Sequence, residues 1–425
     1  MFQAVLARIK EFLIPYYVLF WIYPRRVGVF RKKIREIRKC GKANVVFLAS
    51  NLAMWKYQGL YDLLARDERF NVTVIMAPFY SYSPEQKEQC VQDLSHYFSS
   101  HGIPCVDSRK IEDLGSWLRQ TVRPDLIFYP QPYEWLFKNE LDWTFHPTSL
   151  IAYVPYGALT LYEKWIYNTR FIYNSWRVYY QSSYNKKIAR KLCSNRGLNV
   201  RVSGYISYDD FAKETPEDVW KPQDRPKKRI IWAPHFSGMR QNWLNRGAFK
   251  WLFGFMQELA VTHKDTIQIA FKPHPRLLSE LHQSPDWGKE KADAYYAWWA
   301  EGENTQLETG RFVSLFKTSD AMIHDCNSFI ADYLMTGKPV MFTSDNLEEA
   351  ENQMDAFGKS ALHSHYIGKS VEDVLAFVDN IVSDGADPKA AERKAAFQKY
   401  LLPPNGLTAA ENIYNDLLKA IRFYA

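Results

Sequence analysis

One loop in the second half of the sequence combines a histidine with two cations. His274 lies between Lys272 and Arg276 in the run Lys-Pro-His-Pro-Arg, directly after an apolar stretch typical of a strand. The two prolines remove backbone donors and fix φ, so the chain leaves the sheet in one direction. A histidine there can donate to a phosphate oxygen or transfer a proton near neutral pH. We predict that His274 is catalytic and that Lys272 and Arg276 bind phosphate; the alternative is a histidine satisfied within a turn.

A second candidate segment covers residues 319–328, where a strand ends near Asp325. Asn327 or Ser328 is expected to cap a helix over 328–335. Free N–H groups and the dipole at a helix start favour an anion, and the amide and hydroxyl side chains add donors. We predict that Asp325, Asn327 and Ser328 contribute to a diphosphate site, with helix capping alone as the competing interpretation.

A third strand end, over 231–237, carries His235 and Ser237, with Arg240 just beyond. By itself this segment is a weak signal. Because the carboxyl ends of parallel strands meet at one edge of a sheet, it is nevertheless expected to lie beside the other two loops. We therefore predict that loops 272–276 and 325–328 converge on a diphosphate, with His235 and Ser237 as further donor-binding residues.

These loops depend on a regular alternation of short apolar runs and longer amphipathic stretches, the pattern of βα units on a parallel sheet. The expected strands are 45–49, 72–76, 126–129, 178–181 and 200–203, then 229–233, 267–272, 321–323 and 339–342. The expected helices include 60–65, 86–99, 243–262, 328–335 and 408–423. The pattern predicts an α/β protein with two Rossmann-like domains that face a central cleft.

Composition shifts divide the chain into five segments. We predict a membrane-attachment segment (1–43), a first Rossmann-like domain (44–212), a linker (213–228), a second Rossmann-like domain (229–402) and a C-terminal helix (403–425). The linker is polar and carries three prolines. The last helix opens with the reciprocal N-cap pattern Thr408-Ala-Ala-Glu411, and a terminal helix of this kind can cross back to the first domain.

The N-terminal segment pairs an apolar run over 12–23 with a following cluster of eight cations. The run contains Pro15 and is shorter than the ~20 residues that span a bilayer, and no signal-cleavage site follows it. We expect in-plane attachment to an anionic membrane, hence a cytoplasmic protein peripheral on the inner face of the plasma membrane. The segment is expected to form an amphipathic, basic helix, and the alternative to membrane attachment is that this helix packs on its own domain.

Several classes of cofactor and partner are disfavoured by the sequence. The five cysteines are scattered without a C-x-x-C pair, no D-x-D acids follow a strand, and the G-x-G-x-x-G pattern of dinucleotide sites is missing. We therefore predict no cofactor and no metal. The net charge of +7 is partly concentrated near the N-terminus, and no nucleic-acid-binding module is recognisable, so no nucleic-acid partner is expected.

From about Ser203 to the C-terminus the sequence resembles the CDP-glycerol glycerophosphotransferase family, which includes teichoic acid primases and polymerases. The resemblance rests on an ordered set of motifs: Ala233-Pro234, Lys272 to Pro275, Ser319 to Ser328, Asp332-Tyr333, Gly204 to Asp209, and Asn405-Gly406. It implies a GT-B fold, with residues 44–212 as the acceptor domain and 229–402 as the nucleotide-donor domain. It also implies metal-independent transfer of glycerophosphate, or a similar phosphopolyol, from a CDP-activated donor. The acceptor would be membrane-linked and the product a cell-surface polymer such as teichoic acid or capsule.

The resemblance assigns the catalytic role to His274 and the pyrophosphate contacts to Asn327 and Ser328. Polysialyltransferases share a similar His-Pro and serine pair, which leaves open a glycosyltransferase that uses a CMP- or UDP-sugar. A non-catalytic scaffold protein of the same pathway is the alternative from another class.

The first domain departs from the family pattern, which has a His-Gly loop where this sequence has Tyr156-Gly157. The family histidine is proposed to activate the acceptor hydroxyl, and a tyrosine with an ordinary pKa of about 10 is a poor base at neutral pH. We place Tyr156 provisionally in the catalytic set, with Gly157 and Asn51 on the acceptor side. His146 and Asp125 are the alternative bases.

Overall fold

The computed structural model describes residues 13–133, 135–213, 215–237, 247–310, 312–344 and 346–423. The chain divides into two compact units. The first unit contains the described part of Met1–Leu159, together with Glu163–Asp210 and Tyr400–Ala425, and the second contains Thr160–Tyr162 and Phe211–Lys399.

The first unit is built on a sheet of seven parallel strands in the order β3-β2-β1-β4-β5-β6-β7. The strands are β1 (Ala43–Ala49), β2 (Phe70–Met76), β3 (Cys105–Asp107), β4 (Leu126–Tyr129), β5 (Leu150–Tyr153), β6 (Arg177–Tyr180) and β7 (Val200–Val202). Its helices are α1 (Tyr23–Cys40), α2 (Gln58–Ala65), α3 (Pro84–Ser100), α4 (Leu114–Ser116), α5 (Lys164–Tyr167), α6 (Arg170–Asn174), α7 (Ser183–Leu192) and α8 (Ser207–Lys213).

The second unit contains six parallel strands in the order β10-β9-β8-β11-β12-β13. The strands are β8 (Lys228–Ala233), β9 (Ile267–Phe271), β10 (Thr305–Leu307), β11 (Ala321–His324), β12 (Val340–Thr343) and β13 (Tyr366–Gly368). The helices that follow in the chain are α9 (Phe249–Thr262), α10 (Leu277–His282), α11 (Gly288–Glu301), α12 (Val313–Thr318), α13 (Phe329–Asp332), α14 (Leu347–Asn352), α15 (Ala356–His363), α16 (Val371–Ala376), α17 (Ala390–Tyr400) and α18 (Ala409–Ile421).

The central strands of both sheets are mostly apolar and largely buried because helices cover both faces, as parallel sheets require. Strand β9, for example, is buried along its whole length. Strand order reverses beside β1 in the first sheet and beside β8 in the second, and such a reversal opens a crevice at the carboxyl ends of the strands. The prediction of an α/β protein with two Rossmann-like units is confirmed.

Helix α18 belongs to the first unit, although it closes the chain. Its apolar stripe of Ile413, Leu417 and Ile421 lies in the core of that unit, and the predicted Thr408 capping box is present. The carboxylate of Asp209 accepts hydrogen bonds from the backbone amides of the first two residues of α18, at 2.8 and 2.7 Å. A side chain on Gly204, at φ 96°, would place Cβ 2.4 Å from Pro403, so only glycine fits there.

The N-terminal segment forms a helix that runs through a π-helical turn (Val18–Ile22) into α1. Residues 1–12 of the predicted attachment segment lie outside the described residues. Phe30 and Ile37 pack into the core of the first unit, whereas several large apolar side chains before residue 22 are exposed. Within the described ranges, no helix combines the length and the apolar character that crossing a bilayer requires.

The strand and helix predictions from sequence fail mainly at short elements. Strands β3, β5, β10 and β13 were missed. Each has only three or four residues, too few to show a clear period, so strands of this length are found from sequence in some cases, such as β7 and β11, and missed in others. The helix predicted over 328–335 is instead the four-residue α13 followed by a 3-10 turn (Tyr333–Thr336). Helix α9 begins at Phe249, and residues 243–246 of its predicted start lie outside the described residues.

Candidate active site

The loop after β8 holds His235 in one protonation state. The Nδ1 atom of His235 accepts a hydrogen bond from the backbone amide of Ser237 at 3.1 Å and lies 2.8 Å from the hydroxyl of Ser237. A neutral imidazole held in this way carries its proton on Nε2. Burial, reinforced by His274 and Arg276, lowers the pKa of His235 to about 3, so the ring is uncharged at neutral pH and acts as a donor.

The loop after β9 places His274 beside His235. The backbone amide of His274 donates to the carbonyl of Pro234 at 2.9 Å, and the centroids of the two imidazoles are 4.7 Å apart. The Nδ1 atom of His274 accepts from the amide of Arg276 at 3.1 Å, which again leaves the proton on Nε2. Burial and the charge of Arg276 lower the pKa of His274 to about 4. The site therefore presents two neutral N–H donors.

The two predicted cations occupy different depths. Lys272 is buried, its Nζ donates to the carbonyl of Gly310 at 2.8 Å, and burial lowers its pKa to about 8. The guanidinium of Arg276 is exposed, lies 4.1 Å from the ring centroid of Phe236 and pairs with Glu280 at 2.8 Å. Lys272 thus supplies positive charge from beneath the loop, whereas Arg276 can move towards a ligand at the surface.

Asp325, directly after β11, links the β11 loop to the segment between β8 and α9. One carboxylate oxygen accepts from the backbone amide of His235, and the other accepts from the amide of Ala248 at 2.7 Å. Next to it, the thiol of Cys326 donates to the carbonyl of Ala233 at 3.4 Å. A carboxylate that holds backbone amides positions the site instead of contacting phosphate directly, since two anions repel.

Asn327 and Ser328 follow Asp325 at the surface of the same edge. Asn327 is half-buried and Ser328 exposed, and within the described ranges neither side chain makes a hydrogen bond. The predicted capping role is wrong, because Ser328 has helical φ and ψ and its side chain caps nothing. Since α13 is a single turn, a helix dipole adds little here, and the amide and hydroxyl groups are the available donors.

Strands β9, β8 and β11 are neighbours in the sheet, so the predicted loops share one edge and are linked by the contacts above. Together they offer two imidazole N–H donors, an amide, a hydroxyl and a buried ammonium group. This set suits a diphosphate, whose oxygens accept hydrogen bonds and whose charge favours a nearby cation. Arg240 lies outside the described residues. Across the described part of the chain, His, Cys, Asp and Glu side chains form no group of three that could hold a metal.

Sequence reasoning overlooked His324 and Phe236. His324 is fully buried and its Nδ1 accepts from the amide of Cys326 at 3.2 Å, which fixes the start of the β11 loop. Phe236 packs against His274, with ring centroids 4.6 Å apart. Both residues lie inside the quoted motifs, but only packing reveals that they support their neighbours.

The corresponding edge of the first unit is lined by tyrosines. Tyr156 follows β5 and is 39% exposed, and the half-buried Gly157 follows it. Asn51 follows β1, accepts from the amide of Met54 at 3.0 Å and donates to the hydroxyl of Tyr82 at 3.1 Å. Burial raises the pKa of Tyr82, and Tyr156 adds to that effect. These groups can donate and accept hydrogen bonds, which suits the orientation of a polar ligand at this end of the strands.

The structure places the two alternative bases, His146 and Asp125, near the amino ends of strands of the first sheet. Asp125 lies at the amino end of β4, where it pairs with Lys33 at 3.2 Å and accepts from the amide of Asn44 at 2.9 Å. His146 precedes β5, is engaged by the carbonyl of Glu140 at 2.8 Å, and burial lowers its pKa. Both residues are at the edge of the first sheet opposite to Tyr156.

A family model described as CDP-Glycerol:Poly(glycerophosphate) glycerophosphotransferase matches residues 169–419, which include all three loops of the second unit. No curated protein matches the sequence.

Among solved structures, the fold resembles that of the wall teichoic acid polymerase TagF, with a TM-score of 0.58 and 13% identity over 97% of this chain and 98% of that chain. It also resembles MnaA of S. aureus in a co-structure with UDP (TM-score 0.59, 13% identity, 90% and 98% of the two chains). A third similar structure is the UDP-GlcNAc 2-epimerase of Neisseria meningitidis bound to UDP-GlcNAc (TM-score 0.55, 16% identity, 89% and 100%). At these identities the similarity establishes a GT-B-like fold.

Proposed function

The chain belongs to the CDP-glycerol:poly(glycerophosphate) glycerophosphotransferase family, and from this premise we propose that it extends a membrane-linked, teichoic acid-like or capsular polymer with glycerophosphate. The family match carries the proposal, because it covers the whole of the loop cluster around His274. The chemistry of that cluster supports it, since two neutral imidazole donors and a buried cation suit the diphosphate of CDP-glycerol.

In the proposed reaction a hydroxyl oxygen of the acceptor attacks the phosphorus that carries glycerol. The P–O bond to the cytidylate breaks, CMP leaves, and the hydroxyl proton passes to a base or to solvent. Negative charge grows on the CMP oxygen, where N–H donors from His235 and His274 stabilise it. Lys272 adds a positive charge that needs no reorientation, because its ammonium group is already fixed on the carbonyl of Gly310.

The bound donor changes the titration of His274. Without ligand its pKa is about 4, because burial and Arg276 oppose a second proton. A diphosphate next to the ring would favour the imidazolium and raise that pKa. We propose that His274 then donates a proton or a strong hydrogen bond to the departing phosphate, without a metal ion.

On the acceptor side we propose that Tyr156, Gly157 and Asn51 position the acceptor hydroxyl. Their location after β5 and β1 of the first unit supports this role, because ligands of such sheets bind at the carboxyl ends of the strands. Tyr156 would act as a hydrogen-bonding group and not as a base.

We further propose that the protein attaches to the inner face of the plasma membrane through its N-terminal helix. Tyr17, Phe20 and Trp21 expose 59%, 65% and 56% of their surface, which is unusual for side chains of this size. Cations follow them along α1, and aromatic side chains beside cations favour the interface of an anionic bilayer.

The central test is mass spectrometry of products formed by the full chain from CDP-glycerol and a lipid-linked acceptor. The expected result is an acceptor that is heavier by one or more glycerophosphate units, with release of CMP. Transfer from CMP- or UDP-sugars instead would establish the glycosyltransferase alternative. Absence of any transfer, together with no thermal stabilisation by CDP, CMP or UDP, would indicate a scaffold protein.

A further inference from the structure

The first unit has a strongly cationic groove near the amino ends of its strands, whereas Tyr156 lies at their carboxyl ends. It encloses about 910 Å³ and is lined by three parts of the chain that are distant in sequence: Arg31, Ile34, Arg35 and Arg38 of α1, Arg177 and Arg201 of β6 and β7, and Asp416, Lys419, Ala420 and Arg422 of α18 and its end. Seven of these residues are cations and one is an acid. Only three of the cations belong to the N-terminal segment.

Internal contacts satisfy only part of this positive charge. Asp416 accepts from Arg177 at 2.8 Å and from the hydroxyl of Tyr179 at 2.9 Å, and it lies 3.5 Å from Arg201. Arg38 donates to two backbone carbonyls at the end of α18. Lys419 is exposed and makes no ion pair within the described ranges. So many like charges around one groove repel each other unless an anion sits among them.

A second, smaller pocket adjoins the first along the N-terminal helix. It encloses about 460 Å³ and is lined by Pro15, Tyr16 and Leu19 on one side and by Arg190, Lys191, Cys193, Ser194 and Arg196 on the other. Tyr23 lies on the same helix between Leu19 of this pocket and Arg31 of the groove. Burial raises its pKa, and it interacts electrostatically with Arg177 and Arg201 of the groove and with Cys193 of the pocket. The cations therefore continue towards the exposed apolar side chains that precede α1.

This combination of features selects one kind of anion. A soluble phosphate requires cations alone, whereas exposed aromatic residues next to cations suit a ligand with both an anionic head and an apolar tail. We propose that the groove and the adjoining pocket bind the phosphate headgroups of anionic phospholipids. The folded core, through β6, β7, α7 and α18, would thereby take part in membrane recognition together with the N-terminal helix.

The inference deepens the proposed membrane attachment and is independent of the donor site. Lys419 and Lys191 provide the test, because they line the two pockets, are exposed and lie outside the N-terminal segment. The double variant Lys191→Gln/Lys419→Gln is compared with the control Lys264→Gln/Lys394→Gln, which removes two exposed lysines from the second unit. Full-length proteins are sedimented with vesicles of phosphatidylcholine, with and without phosphatidylglycerol.

The pocket variant should lose roughly thirtyfold in affinity for the phosphatidylglycerol vesicles, because each of its two lost lysines contributes roughly 1 kcal/mol near an anionic surface. Its salt dependence should weaken, whereas the control should bind like the unmodified protein. Equal binding by the two double variants would overturn the proposal. It would also be overturned if inorganic phosphate or soluble glycerophosphate oligomers stabilised the unmodified protein and not the pocket variant while vesicle binding stayed the same.

The same proteins separate this inference from the proposed function. Thermal stabilisation by CDP depends on the second unit, so the pocket variant should retain it. A chain that binds vesicles but transfers nothing would contradict the proposed function alone. A chain that transfers glycerophosphate but binds vesicles independently of Lys191 and Lys419 would contradict the groove alone.

Discussion

The two sheets share the order third, second, first, fourth, fifth and sixth strand of their unit, yet they carry their positive charge at opposite edges. In the second unit, Lys272 and Arg276 follow the carboxyl end of β9. In the first unit, Arg177 and Arg201 lie near the starts of β6 and β7, and tyrosines line the carboxyl edge. A common fold therefore fixes where a site can form, and the side chains decide which edge binds which anion.

The carboxyl ends of the second sheet and the groove of the first unit also differ in how deeply their ionisable side chains are buried. At the carboxyl edge of the second sheet, burial keeps His235 and His274 neutral and brings the pKa of Lys272 down to about 8. In the groove of the first unit, the cations are exposed or half-buried. A compact site with few, well-oriented donors suits one specific ligand, whereas a broad array of cations suits a charged surface.

The largest expected effect comes from His274→Ala. If His274 assists the departing phosphate, transfer should fall by roughly a hundred-fold to ten-thousand-fold. The unfolding midpoint should change little, because the ring is half-buried at the end of a loop. His282→Ala, which removes a partly exposed histidine paired with Asp293, is the matched control and should transfer normally. Rates of CMP release measure both, and an unchanged rate in His274→Ala would remove this residue from the mechanism.

Asp325→Asn tests whether this carboxylate organises the donor edge. The amide can accept from only one of the two backbone N–H groups, so a buried donor loses its partner, at a cost of about 2 to 3 kcal/mol. Urea denaturation should show this loss, and CDP binding should weaken. The control is Asp320→Asn. The carboxylate of Asp320 accepts from one backbone amide, that of Arg229 at 2.8 Å, so its replacement should lower the free energy of unfolding by less. Equal losses in both variants would show that Asp325 has no special role.

Lys272 predicts a pH dependence with a definite sign. Its pKa is about 8 in the free protein, and a bound diphosphate favours the charged form, so the affinity for CDP should fall as the pH rises through 8. The expected decrease between neutral pH and about pH 9 is up to tenfold. Isothermal titration calorimetry with CDP measures it. A flat profile over this range would show that Lys272 does not sense the ligand, and in Lys272→Met the profile should be flat.

The smallest effect is expected for Tyr156→Phe. If Tyr156 only positions the acceptor, loss of its hydroxyl should lower the rate of transfer by less than about tenfold. Loss of a general base would lower that rate by a hundred-fold or more. The control is Tyr80→Phe, another exposed tyrosine of the first unit. Steady-state rates at saturating CDP-glycerol distinguish the two cases, and a loss as large as that in His274→Ala would make Tyr156 a catalytic base.

Much of the fold could be read from the sequence because its signals are local. The apolar runs that became β1, β8 and β9, and the Thr408 capping box of α18, depend on residues a few positions apart. The same holds for the loops around His274 and Asn327, since a motif at the end of a strand predicts its own edge of the sheet.

The failures came from features without a local signal. A strand of three residues such as β3 has too few positions to show a period. The sequence also does not reveal whether Ser328 is an N-cap with extended backbone or, as observed, a residue with helical φ and ψ whose side chain caps nothing. His146 and Asp125 looked suitable as bases because their chemistry is right, but strand direction puts them at the other edge.

The sequence by itself determined the α/β class, the family and the three loops that carry His235, His274 and Asn327, because each depends on the types and spacing of residues that are close together in the sequence. Tertiary structure alone decided the neutral state of the two histidines, the supporting role of Asp325 and the cationic groove. Those properties depend on burial and on contacts between segments far apart in the chain: Asp325 meets the amide of Ala248, and Arg177 meets Asp416. Burial and long-range contacts exist only once the chain has folded, because packing alone creates the low-dielectric surroundings that shift a pKa.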